Sequence, residues 1–382
     1  MIYNIIIIGA GSVGLPLSYF LSTKGLSVLV IDKNPSPGQG ENKAAIGGVR
    51  ASHSEPVKIL ACKESINIYK SWEEEKKAEF DVKDGGYLYV CKNENDYKDF
   101  INSYNVLKNY NVKSYLLSKD ELKNVVSDIN SDIYYGGLYS PDDINVSPLK
   151  SAYAFYKNSL NNGVKFAFNE SVIDFIIEKN KITTVITDKN KYKCDNLVLA
   201  NGRFIRELGL KLNLEIPVFP DSHEGGISAP YEKYLGPMIV DISSDEPKIS
   251  KNFYFTQNKE GSFIFCYTPY ESIYGDYARS EFMQVIARRM IETLPTLSNV
   301  FIRRTWRGYY PNTPDGVPIA DKIKDYDNLF IFGGMCGQGV MLGPGLAKNF
   351  ANFIIGEPTE IPVDIFKRLS FYRDFSSAEL LK

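Results

Sequence analysis

Cysteine and histidine are scarce in this 382-residue chain. The five cysteines, Cys62, Cys91, Cys194, Cys266 and Cys336, are scattered and odd in number, with no C-x-x-C pair. That excludes a disulfide framework and a cysteine-based zinc site, and it predicts reduced thiols in a cytoplasmic protein. The two histidines, His53 and His223, leave no His-rich metal site, so no metal is expected. Net charge is also nearly absent, at −2, which gives no field for nucleic acid. No apolar run reaches the ~18 residues of a membrane span. The first such run is too short for a signal peptide and lacks a basic leader. Lys and Glu runs such as Glu73-Glu74-Glu75-Lys76-Lys77 read as a solvated helix face.

What is present is concentrated at the start. Ile5-Ile6-Ile7-Ile8 leads into Gly9-Ala10-Gly11-Ser12-Val13-Gly14, and a second apolar run, Val28-Leu29-Val30-Ile31, closes on Asp32. Strand, glycine turn, helix, strand and acid form the layout that holds the ADP half of a dinucleotide. Gly9 permits the tight turn, Gly11 lets backbone approach the pyrophosphate, and Gly14 lets the helix lie close on the sheet. The helix N-terminus offers N–H groups to the phosphates. Asp32 lies about 20 residues on, where a carboxylate accepts the ribose hydroxyls.

Further along, helices are expected over 13–24, from Pro56 to about Phe80, over 95–108, 148–160 and 279–294, and from about Gly343 to Ile355. Strands are expected at 87–90, 164–168, 171–178, 182–187, 196–200, 252–255, 262–267 and 328–332. One sheet therefore takes strands from the start, middle and end of the chain, and the segments between form a second, mostly antiparallel layer. The fold class is α/β, a discontinuous Rossmann-like domain with a second antiparallel-sheet domain. The first comprises 1–84, 148–212 and 312–382, the second 85–147 and 213–311.

A nicotinamide enzyme needs only one glycine turn. Here Gly47-Gly48, Gly202 and Gly333 to Gly345 follow as well, and each alone is also readable as a plain turn or cap. Together they fit a longer cofactor approached by backbone at several points, FAD rather than NAD. The stretch Gly337-Gln338-Gly339-Val340 leads into a helix whose N–H groups would face a flavin ring and favour its anionic reduced form.

Five features taken in order carry a resemblance: the N-terminal fingerprint, Ala44-Ala45-Ile46-Gly47-Gly48-Val49-Arg50, the strand ending Ala200-Asn201-Gly202, Trp306-Arg307-Gly308 with Thr313-Pro314-Asp315-Gly316, and Gly333 to Gly345. Over nearly its whole length the chain resembles the FAD-dependent oxidoreductases of the D-amino acid oxidase superfamily, in the sarcosine oxidase, glycine oxidase and L-proline dehydrogenase branch. The resemblance implies oxidation of a C–N bond, less often a hydroxyl carbon, by hydride transfer to flavin N5, with later hydrolysis of the imine. It implies FAD contacts from Gly9, Gly11, Ser12, Gly14, Asp32, Lys33, Gly47, Gly48, Val49, Arg50, Gly202, Gly308, Gly334, Gly337, Gln338, Gly339 and Val340.

Some relatives tether the flavin to a cysteine where this chain has Gly308, so the FAD is expected to be non-covalent. Gln338 stands where relatives often have His. No Lys lies on the strand Phe263 to Tyr267, which favours a dehydrogenase with another, unknown electron acceptor.

Four residues stand out for substrate chemistry. Arg50 is placed against the flavin edge or in a salt bridge within the domain. His53 falls where some relatives hold a substrate carboxylate, which it could do only when protonated; a surface position is the other reading. Tyr267 is a substrate hydrogen bonder or a core aromatic, and Arg307 a carboxylate fork or the partner of an acid. His223 and Tyr254 are weaker candidates. The expected substrate is a small amine or amino acid, with a secondary amine such as an N-methyl amino acid or proline preferred. The rivals are a 2-hydroxyacid or glycerol-3-phosphate oxidising enzyme and a flavin-carrying subunit of a hetero-oligomer.

Overall fold

Each isoleucine of the opening run is buried, which is what a central parallel strand covered on both faces requires. Ile5 and Ile7 enter one core cluster, and Ile6 and Ile8 the cluster on the opposite face, as the two-residue period of a strand dictates. A computed structural model of the chain describes residues 1–75, 78–244, 248–272, 274–275 and 277–376.

The strand Ile2–Ile8 lies between Val28–Asp32 and Lys191–Leu199, parallel to both. Lys165–Phe168 extends the sheet beyond Val28–Asp32. The late strand Leu329–Gly333 pairs in parallel with the end of Lys191–Leu199, through Leu197, Val198 and Leu199. The start of that strand instead joins the antiparallel hairpin Val172–Glu178 and Lys181–Thr187. One sheet therefore does draw strands from the beginning, middle and end of the chain, with Ile319–Lys322 added antiparallel at the late strand.

The second sheet runs in the order Ile302–Asn312, Phe219–Pro230, Ser262–Pro269, Ser250–Gln257, Met238–Asp241, Tyr87–Cys91, Gly136–Ser140 and Tyr115–Ser118. Its pairings are antiparallel except between Met238–Asp241 and Tyr87–Cys91. A small third sheet joins Gly48–Val49, Ile144–Asn145 and Lys83–Asp84. The strands Phe219–Pro230 and Ile302–Asn312 carry no strand expectation above, because Pro220, Gly225, Gly226 and Gly308 interrupt their pattern.

Helices fall close to expectation at Gly14–Thr23, Glu94–Asn109, Pro148–Asn161 and Ser280–Thr293. Asn93 caps the second of these by accepting the Asp96 N–H at 3.0 Å. The helix from Pro56 is described as far as Glu75, and Ala78 to Phe80 are not helical. Lys76 and Lys77 lie outside the described residues, and Phe80 is buried beyond them. The last long helix starts earlier than expected, at Gly339, and runs to Ile354 with Pro344 in its first turns.

That last helix packs unusually close to its neighbours. A Cβ added at Gly343 would sit 2.0 Å from the Ser12 carbonyl oxygen, and one at Gly345 2.0 Å from that of Ala61. Both obstacles are backbone, which cannot rotate away. Gly345→Ala is therefore expected to destabilise the fold by about 1–3 kcal/mol, the usual range for overpacking, read as a lower urea midpoint with an unchanged slope.

Candidate functional site

The two glycine turns meet. An added Cβ at Gly339 would fall 2.6 Å from the Ser12 Oγ, so the start of the last helix rests on the turn that starts the first. Both helices present their N-terminal N–H groups and positive dipole ends toward one cleft of about 540 Å³. One end of the cleft is formed by Gly9, Gly11, Ser12, Asp32 and Lys33, the other by His223, Cys266, Trp306 and Tyr310 of the antiparallel sheet.

Within the first turn the glycines have separate duties. Gly9 has φ +113°, and a Cβ there would lie 2.4 Å from the Ala200 oxygen. Gly14 would drive a Cβ to 1.9 Å from the Gly9 oxygen, so it supports the turn from beneath. At Gly11 a Cβ meets no atom within 4 Å and points into the cleft. Asp32 accepts the Ala10 N–H on Oδ2 at 2.7 Å and the Asn34 N–H on Oδ1 at 2.8 Å. Oδ1 also accepts from the Asn34 side-chain amide at 2.9 Å, so it is Oδ2 that keeps a lone pair for a hydroxyl.

Other polar atoms at the cleft lack protein partners. The Asn42 Oδ1 and Asn201 Oδ1 atoms are buried without a hydrogen bond, in residues that line it. Orphan acceptors beside a glycine-walled anion turn fit a bound dinucleotide that supplies hydroxyl and amide donors.

Of the expected cofactor residues, Gly9, Gly11, Ser12, Asp32, Lys33, Gly202, Gly308, Gly334, Gly337, Gly339 and Val340 line the cleft. Gly14, Gly47, Gly48, Val49, Arg50 and Gln338 are not among the residues that line it. Gly47, at φ +94°, turns against Val146, and Gly48 against the Tyr87 hydroxyl, so both shape the wall from behind. Val49 is wholly buried in the core. Gln338 is buried with an unpartnered Oε1 between two residues that do line the cleft.

Arg50 is 5 % exposed. It donates through Nη1 to the Ser52 oxygen and lies 5.7 Å from the Tyr89 ring. The segment it belongs to is fastened by Asp143, which accepts the Ala51 N–H at 2.6 Å and the Ser52 hydroxyl at 2.7 Å. Burial raises the Asp143 carboxyl to about 6, against the pull of those hydrogen bonds and of Arg50.

The substrate candidates need firmer correction. His53 lies neither on the surface nor at the cleft: it is completely buried, with Nε2 3.5 Å from the Cys62 sulfur. Tyr267 sits on the expected strand but on the wrong face. Its hydroxyl donates to Glu224 Oε2 at 2.7 Å, and its ring packs on Phe282 at 5.0 Å. Arg307 does line the cleft, but its guanidinium is tied to the Tyr267 partner, with Nη2 2.7 Å from Glu224 Oε1 and a side chain only 4 % exposed. An arginine held by a buried acid is not a free fork for a substrate carboxylate.

Alternation of side chains across the sheet hands the cleft face to a neighbour of Tyr267. Cys266, paired with Gly225, lines the cleft where Tyr267 does not. His223 stacks on Tyr310 at 3.5 Å between ring centres, and its Nδ1 lies 3.2 Å from the Thr268 hydroxyl. The Tyr310 and Tyr254 hydroxyls are hydrogen-bonded to each other. Trp306, Tyr309, Tyr310, Arg203 and Glu41 were missed by sequence reasoning; two of them follow the Trp-Arg-Gly motif directly, which is the one signal that could have found them.

Burial, and more weakly the Lys251 ammonium, push the His223 imidazole down to about 3. Burial first raises the hydroxyls of Tyr254 and Tyr310 far above the ordinary tyrosine range, and it lifts the Cys266 thiol to about 12.

With this geometry in place, the comparisons with known proteins are specific. Residues 4–353 match the model of the FAD dependent oxidoreductase family, and the chain belongs to that family. It is a flavoenzyme, and its cofactor is FAD. A 4-methylaminobutanoate oxidase (formaldehyde-forming) of Paenarthrobacter nicotinovorans is 21 % identical over 92 % of the chain, which spans 43 % of that protein's length. A D-amino acid dehydrogenase of Vibrio atlanticus is 23 % identical, covering 94 % of the chain and 98 % of the relative. Among solved structures, L-proline dehydrogenase from P. horikoshii superposes with a TM-score of 0.89 at 26 % identity, over 97 % of both chains. Glycine oxidase from Geobacillus kaustophilus gives 0.86 at 18 % identity, over 97 % of this chain and 99 % of that one. Among the described residues, no helix is long and apolar enough to cross a membrane.

Two outcomes follow from the site. Gly11→Val fills cleft space without touching protein, so it is expected to melt like the wild type while FAD affinity falls by at least about tenfold, measured by flavin titration of the apoprotein. The second concerns acid. The unfolded chain protonates His223 near pH ~6.5 whereas the folded chain resists, so this contribution to stability is fully present above that pH and lost as pH falls toward the folded value of about 3. His223→Asn should shrink the stability difference between pH ~7 and ~5 by on the order of 2 kcal/mol, read from urea melts at the two pH values.

Proposed function

We infer that this chain oxidises a small amine or amino acid, with a secondary amine such as an N-methyl amino acid or proline as the preferred substrate. The relatives named above are amine and amino-acid oxidases and dehydrogenases, which supports the class. The observation that carries the reading is the sheet end of the cleft, where the side chains of His223, Cys266, Trp306 and Tyr310 are uncharged and the one guanidinium, that of Arg307, is neutralised by Glu224. When bound, FAD supplies the two-electron acceptor at flavin N5.

The chain's own residues govern which form of the amine is held there. His223 is neutral above its depressed pKa, Cys266 stays a thiol, and the Tyr254 and Tyr310 hydroxyls keep their protons. Desolvation of an ammonium in such a place is costly unless an anion pairs with it. The pocket therefore selects the neutral amine, whose lone pair stabilises the developing iminium as the hydride leaves. Gly308 fits a freely exchanging cofactor. It offers no sulfur, and even a Cβ there would lie 2.8 Å from the Ala44 Cβ.

The decisive experiment is anaerobic flavin bleaching with a panel of proline, N-methyl amino acids, D-amino acids, 2-hydroxyacids and glycerol-3-phosphate. Bleaching by secondary amines supports the reading; bleaching by the alcohols alone overturns it in favour of a hydroxyl-oxidising enzyme. Bleaching by none until a second polypeptide is added identifies a flavin-carrying subunit. With the best amine, the reduction rate at subsaturating substrate should rise with pH until the amine is deprotonated. A rate that is flat from mildly acidic to alkaline pH contradicts selection of the neutral form. Acid precipitation should release all the yellow colour as FAD into the supernatant.

A further inference from the structure

The segment 39–46, which includes the short turn Glu41–Ala44, lines the cleft with every one of its residues. It is rooted on the Rossmann-like side, where the Gly38 N–H donates to the Ala10 oxygen at 2.8 Å and the Asn42 side chain to the Pro148 oxygen at 2.9 Å. From there it reaches the antiparallel sheet. Ile302–Asn312 is the terminal strand of that sheet, so its outer backbone groups have no neighbouring strand.

Glu41 meets this edge. Its Oε2 accepts the Tyr309 N–H at 2.7 Å, and its Oε1 lies 3.1 Å from the Arg203 Nε. Arg203 in turn lies over the Tyr309 ring at 4.3 Å. Beside this triad the Trp306 indole N–H donates to the Ala44 oxygen at 3.0 Å, and Gly308 leaves room for the Ala44 methyl. One carboxylate thus ties together three parts of the chain that are remote in sequence: the segment 39–46, the turn after Leu199, and the sheet edge.

We propose that Glu41, with Arg203 and the Tyr309 N–H, is a latch that closes segment 39–46 over the cleft and sets how fast FAD enters and leaves. The inference rests on FAD occupying this cleft. Because segment 39–46 walls the cleft along its whole length, its opening widens the way out for a molecule as long as a dinucleotide. Segment 39–46 spans the two layers as a short turn and is joined to the sheet edge by side chains, whereas the strands flanking the cleft are held by continuous ladders. Of its ties to the sheet edge, the Tyr309 N–H to Glu41 hydrogen bond is charge-assisted, and hence among the stronger single hydrogen bonds, and the Arg203 ion pair adds to it.

The test uses the FAD-loaded protein and its Glu41→Ala and Glu41→Gln variants. Release is followed by the recovery of flavin fluorescence on dilution, and uptake by its loss when apoprotein meets free FAD. Glu41→Ala is expected to speed release by about tenfold or more and to speed uptake as well, so the dissociation constant changes less than either rate. Glu41→Gln keeps an acceptor for the Tyr309 N–H and should fall between the wild type and Glu41→Ala. Release within twofold of wild type in both variants overturns the latch. So does faster release with unchanged uptake, which is the signature of a lost direct contact to FAD. If the wild-type protein takes up no FAD at all, the cofactor assignment itself fails, a result distinct from either.

Discussion

Backbone-to-backbone contact at glycine is the constraint on which this structure depends. Gly14 rests on the Gly9 oxygen, Gly343 on the Ser12 oxygen and Gly345 on the Ala61 oxygen, each so close that a methyl group would collide with main chain. These contacts press the phosphate turn between the central strand and the last helix. Two helix N-termini then face one cleft and concentrate positive potential where a pyrophosphate and a reduced flavin carry negative charge. Larger residues at these points would part the helix from the turn and leave neither end aimed.

The antiparallel sheet has a different role, and its two faces divide the work. One face is a dry core in which Phe253, Phe255, Phe265 and Tyr267 pack toward the helix Ser280–Thr293. Within it the Glu224 carboxylate holds Arg307 and Arg279, with Nη2 of the first at 2.7 Å and Nε of the second at 3.4 Å. Removing one member of such a group leaves buried charge uncompensated, which makes it a structural fixture rather than a substrate hook. The other face supplies His223, Cys266 and Tyr310 to the cleft, all uncharged near neutral pH. These uncharged groups adjoin a strongly anion-seeking turn, which suits a cofactor with a charged pyrophosphate.

Much of the first half of the site was legible from the chain itself. The fingerprint from Ile5 to Gly14 and the acid at Asp32 carry their meaning locally, because phosphate binding by a turn and a helix end needs only consecutive residues and one further strand. The second glycine stretch was legible for the same reason. The buried parallel strands announced themselves through apolar runs, and the division into a parallel and an antiparallel layer followed from them. Strands broken by proline and glycine, such as Phe219–Pro230, carried no such signal, since their residues gain strand character from their neighbours rather than from intrinsic preference.

What the sequence by itself determined, then, is the nucleotide-binding turn, the family and the order of the layers. Only the tertiary structure decided which side chains reach the cleft. Tyr267 and Cys266 are adjacent, and a strand places adjacent residues on opposite faces; the choice between faces is made by register with Gly225 and Glu224 on a strand some forty residues earlier. His53 and Arg307 are polar by composition, yet each is buried in a fold that brings Cys62 and Glu224 to meet it. The Glu41 contacts to Arg203 and Tyr309 join distant segments, so nothing local records them. Chemistry that depends on consecutive residues is written in the sequence, whereas chemistry that depends on which face and which partner is settled by packing.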